Sequence, residues 1–454
     1  MSKNITNNMT RDMTSGNPVK LILLFSIPLL IGNIFQQFYS MVDTVIVGRY
    51  IGVEALAAVG TTGSMSFLIN GFVIGLTSGF SVLVSQKFGA KDEKGLKKAV
   101  SSALILSLIA TVLVTVISIL SAKPILNLMN TPENIIDYAY SYIAIIYGGT
   151  IATVVYNIIS SILRALGDSK TPLYFLIIAS LLNVILDILF IVKFSMGVSG
   201  AAWATIISQG FSGVLCIVYT YKKYTLLRLK KDDFKVKARV YKKHLKIGIP
   251  MALQFSITAT GIMIVQSALN VFGSTAIAAY TAATKVLQIV MQPAVTFGVT
   301  MATYCGQNLG AGNYKRIKEG VKKCTQISII TSIIAGLILV FGGKFFVRLF
   351  IENPDASILA YAQECFNYSA TFFIPLGLIF IYRNALQGMG ESFVPMMAGA
   401  LELTARAIVA FTLPKILEYT GICLADPIAW LAASIPLGIY YFRKMKSIEN
   451  ISVS

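Results

Sequence analysis

The chain has 454 residues, 56% of them hydrophobic and only 13% charged, with a mean hydropathy of +0.73. Soluble domains carry about 25% charged residues, so a string of soluble domains of about 150 residues each is excluded. The net charge of +18 would point to nucleic acid in a soluble protein. Here the basic residues cluster in short connections between apolar runs, so no nucleic-acid partner is expected.

Apolar runs long enough to cross a hydrocarbon core of about 30 Å as helices recur from Val19 to Phe442. The polar segment before them, Met1 to Pro18, has no short apolar core ahead of a small-residue cleavage site, so no cleaved signal peptide is expected. Breaks at polar, Pro and Gly residues divide the runs into twelve spans. In the first half they cover 19–41, 55–82, 97–122, 135–161, 171–192 and 198–221. In the second they cover 247–271, 278–304, 319–343, 357–382, 392–414 and 424–442.

An even number of spans puts both ends on one side, and lysine and arginine decide which. The face carrying both ends holds 29 basic residues, among them Lys3, Arg11, Lys20 and eleven between Lys222 and Lys246. The opposite face holds six: Arg49, Lys123, Lys193, Lys344, Arg348 and Lys415. Cytoplasmic loops are the ones enriched in Lys and Arg, so both termini are expected in the cytoplasm, in a multi-pass protein of the cell membrane. The stretch 222–246 reads as a basic cytoplasmic linker, with the only histidine, His244, in it. The five cysteines, Cys216, Cys305, Cys324, Cys365 and Cys423, form no CxxC and have no histidine beside them, so neither a zinc site nor a disulfide framework is expected.

The two halves repeat. Gln86, Gly89, Ala90, Lys94 and Lys97 recur 221 residues later as Gln307, Gly310, Ala311, Lys315 and Lys318. Pro28 returns as Pro250, at 222, and Leu163, Gly167, Asp168 and Pro172 return as Leu386, Gly390, Glu391 and Pro395, at 223. The expected fold is an all-α membrane protein with two homologous six-helix lobes, related by a pseudo-twofold along the membrane normal. The lobes would be 1–221 and 247–446, followed by a tail over 447–454.

A charge near the bilayer centre costs about 2.5–3.5 kcal/mol on insertion scales, so embedded polar residues mark function or pairing. In the first span Asn33, Gln36, Gln37, Ser40, Asp43 and Thr44 trace one helical stripe. In the fifth, Asn183 and Asp187 are four apart on one face, and the sixth offers Thr205. Two carboxylates, an amide oxygen and a hydroxyl are hard ligands for a small cation such as Na+, and the carboxylates could hold a proton instead. The repeat counterparts of Asn183 and Asp187 are Arg406 and Ala410, so the cluster exists in one half only, which favours function over scaffolding. The other half embeds Lys285, Glu402 and Arg406. Glu402 and Arg406 are spaced to pair along one helix, while Lys285 has no evident partner in the sequence.

The run from Gln36 to Gly60, the segment Arg164-Ala-Leu-Gly-Asp-Ser-Lys-Thr-Pro172 and the segment Asn183-Val-Ile-Leu-Asp187 resemble signatures of the multidrug and toxic compound extrusion (MATE) family. The resemblance covers nearly the whole chain. It implies an exporter of organic cations, drugs or amphiphilic metabolites, driven by exchange for Na+ or H+, with no cofactor beyond the coupling ion and no enzyme activity. It places cation coupling at Asp43, Asn183, Asp187 and Thr205, substrate-cavity positions at Gln36, Tyr39 and Asn157, and a helix hinge at Pro28. Family members with a cation site in the second lobe carry a glutamate in the seventh span; here that span has only Gln254 and Gln266 as long polar groups, with Glu402 as a candidate substitute. Partners would be the bilayer and small amphiphilic or cationic substrates, with the chain working as a monomer. The rival within the same superfamily is a flippase for lipid-linked saccharides, which needs a basic cavity that Lys285 and Arg406 would supply. No nucleophile, base or metal motif supports a membrane enzyme.

Overall fold

The computed structural model describes residues 11–129, 131–351 and 354–453; Lys3, counted above with the N-terminal tail, lies outside them. The described residues contain helices and no strand. In chain order they are α1 (Pro18–Tyr50), α2 (Val53–Gly89), α3 (Glu93–Leu128), α4 (Glu133–Gly148), α5 (Thr150–Ala165), α6 (Lys170–Asp187) and α7 (Gly197–Lys223). After the linker come α8 (Ala238–Leu269), α9 (Gly273–Val290), α10 (Gln292–Gly310), α11 (Tyr314–Phe350), α12 (Ala356–Thr371) and α13 (Phe373–Gly388). The chain ends with α14 (Phe393–Thr412), the short α15 (Pro414–Leu417) and α16 (Tyr419–Cys423), and α17 (Ala425–Val453).

Nine described helices are long and apolar enough to cross a membrane, and the pairs α4–α5, bent by 46°, and α12–α13, bent by 52°, raise the number to eleven. One of the nine, Ala238–Val290, has 53 residues. As a single helix it would run roughly 80 Å, far beyond a bilayer. It is broken at Asn270–Phe272, before Gly273 at φ +80°, and so makes two crossings. Counted this way the described residues make about twelve crossings, the number expected from the sequence.

The chain divides into two compact units. One comprises Ile27–Ser256; the other comprises Met13–Ser26 with the chain from Ile257 onward. Each unit therefore contains the opening part of a helix whose remainder belongs to its counterpart. In the second unit Met13 N donates to Gln307 Oε1 (2.9 Å), Arg316 Nε donates to Met13 O (3.1 Å), and Ser26 and Thr300 hydroxyls lie 2.8 Å apart. In the first unit α2 meets α8 through small residues: a Cβ on Gly79 would stand 2.5 Å from Gly248 Cα, so only glycine permits that approach.

Two expectations need correction. His244 is not in a loop: α8 begins at Ala238, and the imidazole is fully buried, edge-on to Phe80 with ring centroids 5.8 Å apart. Four of the nine residues before Ile247 are lysine or arginine, but Val240, Tyr241 and His244 among them turn inward and continue the buried face of the helix that follows. A disulfide does form: Cys365 of α12 is bonded to Cys423 of α16. Their 58-residue separation follows no spacing motif, so only the fold brings them together. Cys216, Cys305 and Cys324 are free and buried.

The repeat is visible in how each unit anchors its last helix. Gly167 (φ +83°) and Gly390 (φ +88°) take the left-handed turn that glycine tolerates without strain. The acid that follows each then makes a side-chain contact at the end of the last span of its half. Asp168 caps α6 through Lys170 N (2.9 Å) and Thr171 N (3.0 Å) and accepts the Tyr224 hydroxyl just beyond α7. Glu391 holds Lys444 of α17 at 2.6 Å.

Candidate functional site

Helix α1 carries its polar stripe through the first unit without interruption. Gln36 is exposed on it, Tyr39 and Asp43 are half-buried, and Thr44 returns its hydroxyl to Ser40 O (2.8 Å). Helix α6 ends on the stripe's partners: Asn183 and Asp187 are both fully buried. Directly after Asp187 the backbone widens into a π-helix over Ile188–Lys193, a geometry that recurs at functional sites because it displaces side chains from the regular register.

The four residues expected to hold the coupling ion come together. The Asn183 amide donates to Asp187 Oδ2 (2.9 Å) and accepts from Thr205 N (3.1 Å). The Asp43 and Asp187 carboxyl groups are within hydrogen-bonding reach of each other. Tyr39 and Tyr142 of α4 lie close enough to interact with both carboxyl groups, and Tyr39 lies beside Thr205 as well. Asp43 Oδ1 and Asp187 Oδ1 are buried with no hydrogen-bond partner.

Two carboxylates in contact repel unless something positive lies between them, and the penalty is greater in a low-dielectric interior. Two orphaned oxygens of this kind fit a small hard cation or a shared proton. Gln36 and Asn157 are not drawn into the cluster by hydrogen bonds. Asn157 Nδ2 donates to Thr153 O (2.8 Å) on its own helix, and Thr153 donates to Gln209 Oε1 (2.6 Å). Pro28 is buried within α1, one residue past Ile27, where the first unit's share of that helix begins.

The charges of the second unit form a different arrangement. Glu402 is bound on both sides, by Arg383 Nη2 (2.8 Å) and Arg406 Nη2 (2.9 Å), and Arg406 Nε reaches Asp426 Oδ1 (2.6 Å). Arg383, Glu402 and Arg406 are all buried. Two positive and two negative groups close a neutral ladder, which extends the structural reading of the Glu402–Arg406 pair. Lys285 is exposed on α9 and makes no ion pair among the described residues.

Sequence reasoning missed Tyr142, the π-helix, Arg383 and Asp426. Nothing in the sequence marks Tyr142 or the π-helix. Arg383 was visible as a basic residue directly after the tenth span.

Comparison with known proteins places this geometry in a family. The MatE family model matches residues 28–189 and again 250–412. The chain belongs to the MatE family. The two matches repeat the 222-residue offset, so the family unit is the half and not the whole. MatE proteins are membrane transporters, not enzymes, and this chain is a multi-pass membrane transporter. Among its relatives is the probable multidrug resistance protein YpnP of Bacillus subtilis, 30% identical over 95% of this chain and 96% of that one. The probable multidrug resistance protein NorM of Thermotoga maritima is 26% identical over 87% of this chain and 86% of its own. The outward-facing structure of a multidrug resistance MATE transporter of the MOP superfamily superimposes with a TM-score of 0.92 at 22% identity, covering 98% of this chain and 99% of that one. At that identity the structural match establishes the fold.

Proposed function

We propose that the chain is a cation-coupled antiporter, exchanging Na+ or H+ for drugs, organic cations or amphiphilic metabolites by alternating access across the cell membrane. Both termini would be cytoplasmic and the chain a monomer. The observation that carries this reading is the contact between the Asp43 and Asp187 carboxyl groups, each with a buried oxygen left unpartnered. The multidrug names of relatives that span the whole chain support the substrate class.

One cation or proton between the carboxyl groups relieves their repulsion and draws Asp43 toward Asn183 and Asp187. Tyr39 and Gln36 lie one and two turns before Asp43 on the same face of α1 and would follow it. Pro28 removes one backbone hydrogen bond from α1, so the helix can bend there at low cost. Moving one positive charge inward down 100 mV supplies about 2.3 kcal/mol. Since about 1.4 kcal/mol is tenfold in an equilibrium, the potential alone would sustain roughly fortyfold exclusion of a neutral drug.

A lipid-linked saccharide flippase would need free cations in its cavity, and Arg406 is already committed to Glu402 and Asp426. The deciding experiment is uptake of fluorescent organic cations into proteoliposomes under an imposed Na+ or H+ gradient. Accumulation driven by either gradient supports antiport; transport indifferent to both overturns it.

A further inference from the structure

A groove of about 490 Å³ lies between α11 and α12, lined by Lys344, Gln363, Glu364, Asn367, Tyr368 and Thr371. Its position is unusual for so polar a surface. On α11 the residues around Lys344 present a lipid-type face: Leu337, Ile338, Phe341 and Phe345 are exposed, Phe341 at 84%. Lys344 stands six residues before the helix ends at Phe350, about 9 Å along the axis. At that depth a lysine stem reaches the headgroup layer. This end of α11 is opposite the one bearing Lys315, Lys318, Lys322 and Lys323.

The other half of the repeat shows what the same framework does without a groove. Lys123 is the counterpart of Lys344 at the 221 offset. Helices α4 and α12 begin and end 223 residues apart, so Tyr140 is the counterpart of Gln363. In the first unit the Lys123 ammonium lies 5.9 Å from the centre of the Tyr140 ring, which occupies the space and satisfies the charge. In the second unit Gln363 reaches across to α11 to donate to Leu339 O (3.2 Å) and Val340 O (3.0 Å), and it also donates to Asn367 Oδ1 (2.9 Å) on its own helix. Beside this amide bridge the groove remains, and Lys344 makes no ion pair among the described residues.

Two further exchanges change the chemistry of the wall. Glu364 and Asn367 stand where the first unit has Ser141 and Ala144. Glu364 Oε1 accepts from the Thr420 hydroxyl, and its second oxygen makes no described hydrogen bond. A cation near the headgroup layer, a carboxylate beside it and an apolar helix face alongside form a complement to a zwitterionic lipid. We propose that this groove binds a phospholipid of the ethanolamine class, with Lys344 taking the phosphate and Glu364 and Asn367 accepting from the primary ammonium. A choline headgroup carries no N–H to donate, so the same site would hold it less well.

The test is retention of lipid by the purified full-length protein in detergent, read by native mass spectrometry after adding phosphatidylethanolamine or phosphatidylcholine with the same acyl chains. Losing one charge-assisted contact should lower retention by about tenfold in Lys344→Gln. Glu364→Gln should remove the preference for ethanolamine over choline. Gln363→Tyr, which restores the ring of the first unit, should fill the groove and displace the lipid. Lys123→Gln should behave as the unaltered protein, and unfolding curves for every variant serve to check that the fold is retained. Unchanged retention in both Lys344→Gln and Gln363→Tyr overturns the proposal. Displacement of the lipid by an equal concentration of free O-phosphoethanolamine overturns the lipid as the ligand.

Discussion

Arg406 binds two acids at once, with Nε 2.6 Å from Asp426 and Nη2 2.9 Å from Glu402, which in turn holds Arg383 at 2.8 Å. Removing the central acid leaves two buried guanidinium groups with one carboxylate. Glu402→Leu should therefore destabilise the protein by about 3–5 kcal/mol, measured by unfolding in detergent. Lys285, exposed and outside the ladder, should change stability by less than about 0.5 kcal/mol as Lys285→Gln.

Asp187→Asn should abolish ion-driven efflux while expression stays near normal, because an amide cannot take up and release the coupling charge. Gln254 and Gln266 substitutions should only weaken transport. Adding Na+, or lowering pH, should weaken drug binding to the unaltered protein, and Asp43→Asn should abolish that dependence. Gradient-driven efflux at equal protein level reads the first two, and equilibrium binding of a fluorescent cation reads the third. Competition that persists in Asp43→Asn would place the coupling elsewhere.

Single cysteines introduced at Lys91–Lys98 and Lys230–Arg239 should react with impermeant maleimide only when the cytoplasmic face is opened, given 29 basic residues against six. Cys216, Cys305 and Cys324 are buried and contribute little background. Labelling from outside intact cells would reverse the proposed orientation.

The Cys365–Cys423 bond closes a separation of 58 residues. The chain-entropy model gives such a loop about 4 kcal/mol of stabilisation, so Cys423→Ser should lower the unfolding midpoint measurably. Alkylation under denaturing conditions should modify three cysteines without reductant and five with it.

Asp92 caps α3 by accepting from Gly95 N (2.8 Å) and pairs with Lys87 (2.8 Å). Chiefly the Lys87 hydrogen bond, then that of Gly95, hold its carboxyl below the ordinary carboxylate value. A depressed carboxylate contributes stability above its unfolded pKa of about 4 and loses it as the pH falls through the folded value. The acid limb of the stability curve should therefore flatten in Asp92→Ala, which should also cost about 1 kcal/mol at neutral pH through the lost cap.

The twelve crossings, the two-fold repeat and the cluster of Asp43, Asn183, Asp187 and Thr205 were legible because each rests on local pattern. Hydrophobic length marks a span, offset marks a repeat, and i,i+4 spacing puts two side chains on one face. What escaped depends on long-range folding. His244 was assigned to the linker because basic neighbours masked a helix that starts at Ala238. The disulfide joins two cysteines with no motif between them. The π-helix after Asp187 has no compositional sign, since Ile-Leu-Phe-Ile-Val reads as ordinary span. Arg383 could have been found: it is one of three basic residues that belong to neither face, with Lys285 and Arg406.

The exchange of helix openings between the two compact units bears on how the protein is made. A chain that has left the ribosome only as far as Lys223 has completed seven helices, yet still lacks the stretch of α8 up to Ser256 that its first unit requires. The second unit, for its part, has one segment, Met13–Ser26, that emerges long before Ile257 and the rest of it. Cutting the gene within the linker would thus yield two fragments that each carry a segment belonging to the other, and each would lack part of its own unit when expressed alone.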